Sequence, residues 1–367
     1  MRFRNRTANP TVAEKKGVEP SLKTRSPSGT LPCSRSAGTV SEMAPGAEGS
    51  EPALSELLPG APLREAVLSA CGQVFVWEDV VEWMKDDGKW ALARRRASEA
   101  MTLVAAGAAA TLADNLRAKA QRFRRARRLV AGEDLIRWLA DWGISEEEWV
   151  GWLDGTLRRE AEPPPTRLTR SADEQATWVE VVCSGDLEDA AAGLARALGA
   201  WAERSEGASP PERERFEALR HAAEELGRAP VPRAEVERVI TANAAAWVQV
   251  AIEWADLGSP DAAREAVAAM RDDGLSFAAV AELARAGRGD AVARAEDLDG
   301  RTRAIAVSAP LDSPVRIDTP VQPGVVAVVR ARRHPSADHV EDGALATAAC
   351  IQARVDAAVD RWVTWRV

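Results

Sequence analysis

The sequence predicts an α+β chain, mostly helical, in which an N-terminal helical module precedes a small α/β domain. Three observations carry this. From about residue 52 to 160 apolar residues recur at helical spacing, Pro163-Pro164-Pro165 then breaks the chain, and after residue 245 the pattern switches to alternation in Trp247-Val248-Gln249-Val250-Ala251-Ile252-Glu253-Trp254. The segments expected are a tail over 1–50, a helical module over 51–162, a linker with a second helical block over 163–244, an α/β domain over 245–335 and a closing helix over 336–367.

In the first module Leu54, Leu57 and Leu58 open an amphipathic turn, and Leu63 to Cys71 continues the helical pattern. Gln73-Val74-Phe75-Val76 alternates as a short strand before a helix whose Val80, Val81 and Met84 share a face, ended by Asp86-Asp87-Gly88. Helices follow over about 89–110 and 112–129. Two short ones come next, one with Leu135, Trp138, Leu139 and Trp142, the other opened by Ser145-Glu146-Glu147-Glu148 and bearing Trp149, Trp152 and Leu153. Ser145 is an N-cap, and acidic residues in a first turn suit the helix dipole. Trp138/Trp142 and Trp149/Trp152 are spaced four and three apart, so each pair shares a face. That pattern builds either a helical core or an open aromatic groove for an apolar peptide.

Beyond the prolines, helices are expected from Trp178 to Trp201, Phe216 to Leu226 and Arg233 to Thr241. Ser259-Pro260 caps a helix over 261–271, Asp272-Asp273-Gly274 ends it, and Phe277 starts another. Short strands are expected at Ala304–Val307 and Val315–Ile317, a firm one at Val325–Val329, and a final helix over about 343–362.

Composition narrows the chemistry. The chain has 13 Trp, no Tyr and only three His (His221, His334, His339). A phenol acid is therefore impossible and a three-His metal site would need all three. Cys33, Cys71, Cys183 and Cys350 form no CxxC pair, which suits a reducing compartment and small buried hydrophobes. No metal and no cofactor are expected, and no catalytic residue is assigned. A P-loop, GxSxG, HExxH or suitably placed GxGxxG is absent from the sequence.

The net charge of −8 hides an asymmetry: residues 1–42 hold 8 basic and 3 acidic side chains, leaving 40 and 53 for the rest. An acidic body argues against a general nucleic-acid binder. One exception is Arg117 to Arg128, where Arg117, Lys119, Arg122, Arg124, Arg125, Arg127 and Arg128 make seven basic residues in twelve. It is either a solvated face or an anion-binding strip. Residues 1–42 show no apolar periodicity and no secretory h-region, and Met43 is an alternative start to Met1. No stretch of 18 apolar residues occurs, so no membrane partner is expected and the expected location is cytoplasmic.

The order of the later motifs resembles a known family. Gly274, Phe277, Ala281, Ser313-Pro314-Val315 and Gly324-Val325-Val326, following a strand and a helix, resemble the parvulin-type peptidyl-prolyl isomerase domain. Upstream, Val74 to Asp79 and the run from Trp138 to Trp149 (Trp138-Leu139, Gly143-Ile144-Ser145, Glu147, Trp149) resemble the helical chaperone module of SurA- and PrsA-type foldases. The likeness covers roughly 70–160 and 245–333. It implies a chaperone-like module with a parvulin-like domain, acting on an unfolded or precursor peptide. It departs from the family at the catalytic positions: strand 247–254 holds no His, and Val326 stands where the hairpin His is expected. The resemblance therefore implies peptide binding without efficient catalysis, with Trp138, Trp142, Trp149, Trp152, Met270 and Phe277 as peptide-contacting candidates. An active prolyl isomerase and a structural or nucleic-acid-associated helical protein are the alternatives.

Overall fold

A computed structural model of the chain describes residues 53–107, 113–210, 212, 215–317 and 324–366. In chain order the first elements are α1 (Leu54–Leu57), β1 (Ala66–Ala70), β2 (Gln73–Val76), α2 (Trp77–Asp86), α3 (Lys89–Ala105), α4 (Ala113–Ala126), α5 (Gly132–Asp141), α6 (Glu146–Ala161), α7 (Glu174–Ser184) and α8 (Asp186–Ser205). There follow α9 (Arg215–Arg228), α10 (Arg233–Ala242), β3 (Gln249–Asp256), α11 (Pro260–Asp272), α12 (Phe277–Leu283), β4 (Gly287–Arg294), α13 (Gly300–Ser308), β5 (Pro314–Ile317), β6 (Val325–Arg333), α14 (Val340–Trp362) and β7 (Val363–Trp365). The chain is thus α+β and mostly helical, with two small antiparallel sheets. The expected tail over 1–50 lies outside the described residues. Among the described residues, no helix is long and apolar enough to cross a membrane.

Two units separate, one holding described residues 53–63 and 97–179, the other 64–96 and 180–366. This division cuts across the segments expected from sequence, because α3 and α7 each run from one unit into the other.

The first unit is helical. Asp134 accepts the Ala131 amide at 2.8 Å to open α5, and Ser145 and Glu148 cap α6 reciprocally. Between them Gly143 has φ +62°, and a Cβ there would lie 2.5 Å from the Gly60 carbonyl carbon. Only glycine allows both that backbone and that approach. Ser98 and Thr102 on α3 are buried, and their hydroxyls accept the amides of Ala172 (2.9 Å), Thr169 (3.3 Å) and Arg170 (3.2 Å), tying down the segment after the proline run.

The second unit contains both sheets. One has the order β2-β1-β7: a hairpin turning at Cys71-Gly72, both at positive φ, takes the C-terminal strand as its third member, Leu68 opposite Trp365. The Leu63 to Cys71 segment is therefore corrected from helix to strand. It pairs with the adjacent β2 and, on its other side, with β7 nearly the whole chain away, a second partner that local periodicity does not register. Beside this sheet α8 buries half of its 20 residues, and a Cβ on its Gly199 would lie 3.0 Å from the Val359 amide nitrogen of α14. Val236 and Ile240 of α10 pack with Trp247 and Ala346.

The larger sheet has the order β4-β3-β6-β5. Its even-numbered β3 residues Val250 and Ile252 join Ala306, Ile317, Val325 and Ala327 on one face; Ala255 joins Phe277, Val280, Val326 and Val328 on the other. Helices α11 and α12 cover the second face, α13 the first. Two local expectations are corrected here. Ala304–Val307 is helical, since Asp299 caps the amides of Arg301 and Thr302 at 3.1 Å and sets α13 in motion. Gly287–Arg294, with two glycines and an aspartate, carries no strand signature, yet it pairs with β3 along its full length.

Candidate functional site

In the first unit the four candidate tryptophans converge on Phe123 of α4. Its ring centroid lies 5.4 Å from Trp138, 5.7 Å from Trp149 and 5.7 Å from Trp152, and Trp142 joins through Trp138 at 6.4 Å and Trp178 at 6.0 Å. Edge-on and tilted contacts of this kind are the favourable arrangement for aromatic rings. The Arg127 guanidinium sits 4.8 Å from the Trp138 ring and 5.0 Å from Phe123, a cation–π pair of contacts. Trp178 donates its indole N–H to the Trp142 carbonyl at 2.9 Å, and Gln175 donates to Glu148 at 2.9 Å, so the α5–α6 turn is held from α7. Trp138 and Trp149 are 5% exposed and form interior; Trp142 and Trp152 are half-buried at its margin. The indole N–H of Trp149 is buried without an acceptor.

The basic run on α4 divides the same way. Arg117 pairs with Asp114 at 3.2 Å, Lys119 with Glu160, Arg124 donates to the carbonyls of Leu129 and Val130, and Arg127 lies on the rings. Arg122, Arg125 and Arg128 are exposed. Of the seven, Arg124 closes the helix end, Arg127 covers aromatic surface, Arg117 and Lys119 pair with carboxylates, and three face solvent.

In the second unit Phe277 is 4% exposed within the core under α11 and α12, and Met270 packs half-buried against that cluster. The opposite sheet face differs. There Trp254, Leu298, Ile305, Val307 and Val315 are partly buried and pack on the buried Val250, Ile252 and Ala327, Ile305 and Val307 coming from the covering helix α13. Trp254 faces Gly289 across the β3–β4 pair, and a Cβ at Gly289 would come within 2.5 Å of ring atom Cε2. The missing side chain gives the indole its seat. Sequence reasoning passed over Trp254 because alternation alone marks it as a strand residue; the bare Gly289 opposite it becomes a partner only after β4 is paired.

A second group missed from sequence surrounds Asp342 at the start of α14. Its carboxylate is wholly buried, 2.8 Å from Arg333 Nη1 and 3.6 Å from Arg294 Nη2, and accepts from the Ser336 amide (3.3 Å) beside His339 Nδ1 (3.1 Å). Burial pushes this carboxyl up, but the Ser336 amide, His339 and Arg333 together outweigh it and hold it below the ordinary carboxylate range. The group ties the ends of β4 and β6 to α14, which is a structural task. Cys183 and Cys350 are buried and not disulfide-bonded, and burial raises the Cys350 thiol. Among the described residues no cluster of three or more His, Cys, Asp or Glu could hold a metal ion.

Comparison with models of protein families, with curated proteins and with solved structures finds no match for this chain.

Proposed function

We propose that this protein is a peptide-binding, chaperone-like or peptide-maturation helper related to parvulin-type prolyl isomerases, acting by binding rather than by efficient catalysis. The observation that supports it is the partly buried apolar group Trp254, Leu298, Ile305, Val307 and Val315 on one face of the larger sheet, which we read as a shelf. It offers a peptide hydrophobic surface, and β3 and β6, which build the floor, contain no His. Easing rotation about an imide requires preorganised polar groups aimed at the twisted state. A shelf of this composition binds an apolar or proline-bearing segment without supplying them. β3, α11, α12 and the later β5–β6 hairpin follow one another in the order strand, two helices, hairpin on which the family resemblance rests, while β4 and α13 between them were no part of it. Trp142 and Trp152 at the margin of the aromatic cluster, and Met270 beside Phe277, are further candidate contacts. Trp138 and Trp149 contribute as the rigid backing of that cluster. The client is an unfolded or precursor peptide, and the buried thiols without disulfides fit work in the cytoplasm.

The test is binding of a labelled apolar peptide containing an X-Pro bond, with a protease-coupled isomerisation assay on the same peptide. The reading expects saturable binding, weakened about tenfold by Trp254→Ala, and no acceleration over background. Turnover that Trp254→Ala abolishes would establish an isomerase instead. Salt-sensitive binding of RNA or DNA with no peptide binding would overturn both readings.

A further inference from the structure

Trp83 on α2 is held from α9. Phe216 meets its ring edge-on at 5.6 Å between centroids, and the Arg220 guanidinium sits 5.8 Å from the ring centre while pairing with Asp86. The residue is 6% exposed, and its indole N–H is buried with no acceptor among the described residues. A buried donor without a partner has lost its water and gained nothing in exchange, so its presence in a folded chain needs a cause.

The cause lies on α8. A Cβ on Gly193 would lie 3.5 Å from Trp83 Nε1 and 3.9 Å from Arg196 Nη2, and among the described residues nothing but the helix's own backbone comes closer than 4 Å otherwise. Nε1 is thus the one atom of the indole turned so near to Gly193, and no carboxylate shares the space. Arg196 follows Gly193 by three residues, so both lie on one face of α8. It is exposed, and among the described residues it makes no ion pair and no hydrogen bond. The carboxylates Asp79 and Asp86 of α2 are taken by Arg215 and Arg220. Two donors, one of them charged, therefore converge on a gap that holds no acceptor. Residue 193 keeps that gap open. Glycine inside a helix is less stable than alanine, and alanine would meet only ordinary contacts here, so helix stability does not account for it.

We infer that Trp83 Nε1 and Arg196, over the bare backbone of Gly193, form a binding site for a small oxyanion, either a carboxylate group or inorganic phosphate. One oxygen accepts the indole N–H, and a second meets the guanidinium, whose fork suits carboxylate and phosphate alike. Nε1 is covered in the empty site, so Arg196 swings out to admit the ion and closes over it; its exposure and its lack of an ion pair leave it free to do so. The indole stays in place, because Phe216 and Arg220 hold its ring from α9. This inference uses none of the residues of the peptide-binding reading and is independent of it.

The indole N–H resonances of the full chain test it, the Trp83 signal being the one missing from Trp83→Phe. Sodium phosphate and, separately, sodium acetate are titrated against sodium chloride at equal ionic strength. The Trp83 signal is expected to move downfield and saturate in the millimolar range with at least one oxyanion. Tighter binding of acetate assigns the site to carboxylates, and tighter binding of phosphate assigns it to phosphate groups. Arg196→Gln should weaken binding by about tenfold. Gly193→Ala, which fills the gap, should abolish the shift while leaving the urea midpoint unchanged or slightly raised. If Trp83→Phe does not fold, calorimetric titration of the same two salts into wild type, Arg196→Gln and Gly193→Ala reads the same losses. A wild type that binds neither oxyanion, or responds equally to chloride, overturns the inference, as does binding that both substitutions leave unchanged.

Discussion

The indole of Trp254 lies against the bare backbone of Gly289 on the neighbouring strand, in space that any side chain at 289 would occupy. Two residues thirty-five positions apart thereby create one side of the shelf to which peptide binding is assigned.

Gly289→Ala should displace that indole. Overpacking of this kind costs about 1–3 kcal/mol. A lowered denaturant midpoint should accompany reduced affinity for the apolar peptide, whereas Gly287→Ala, which meets no atom within 4 Å, should leave both nearly unchanged.

Gly143→Ala combines a left-handed backbone with a clash against the Gly60 carbonyl. Strain and overpacking together should cost about 2–4 kcal/mol, read as a fall in the urea midpoint. Gly151→Ala, on the open side of α6, should be neutral or slightly stabilising.

Trp178 and Trp149 are both buried, yet only Trp178 has a hydrogen-bond acceptor for its indole N–H. Trp178→Phe removes a hydrogen bond to the Trp142 carbonyl, while Trp149→Phe removes a donor that has no acceptor. Trp178→Phe should therefore be the more destabilising by about 1 kcal/mol in equilibrium unfolding.

The Asp342 carboxyl is held below its ordinary value in the folded chain. Its stabilising contribution is fully present above the unfolded carboxylate value of about 3.9 and is lost as pH falls through the lower folded value. Wild-type stability should thus decline on strong acidification. Asp342→Asn, which leaves Arg333 and Arg294 without their buried counter-charge, should cost about 3 kcal/mol near neutrality and flatten that acid dependence. Urea midpoints measured across acidic pH check both statements.

The elements that could be read from sequence are those whose cause is local. Ser145 with Glu148, Ser259 before Pro260, and the alternation through Trp247–Trp254 each act within one turn or one strand; α6 and α11 start where those signals put them, and β3 lies two residues later than the alternation, over Gln249–Asp256. The shared faces of Trp138/Trp142 and Trp149/Trp152 were legible for the same reason, since helical spacing alone sets them. Their convergence on Phe123 was not, because it depends on how α4 packs against α5 and α6.

What the sequence by itself determined is the helical majority, the capped starts of α6 and α11, the strongest strand and a supply of chemistry with three His and no Tyr. Tertiary structure alone decided the pairing of β1 with β7, the existence of β4, the seat of Trp254 and the burial of Asp342. The physical reason is common to all four. A strand is stabilised by hydrogen bonds to another strand and a buried charge by its counter-charge. For the strands and for Trp254 the partner is supplied by a distant segment, and for Asp342 burial depends on how β4 and β6 meet α14, so neighbouring sequence does not disclose these outcomes.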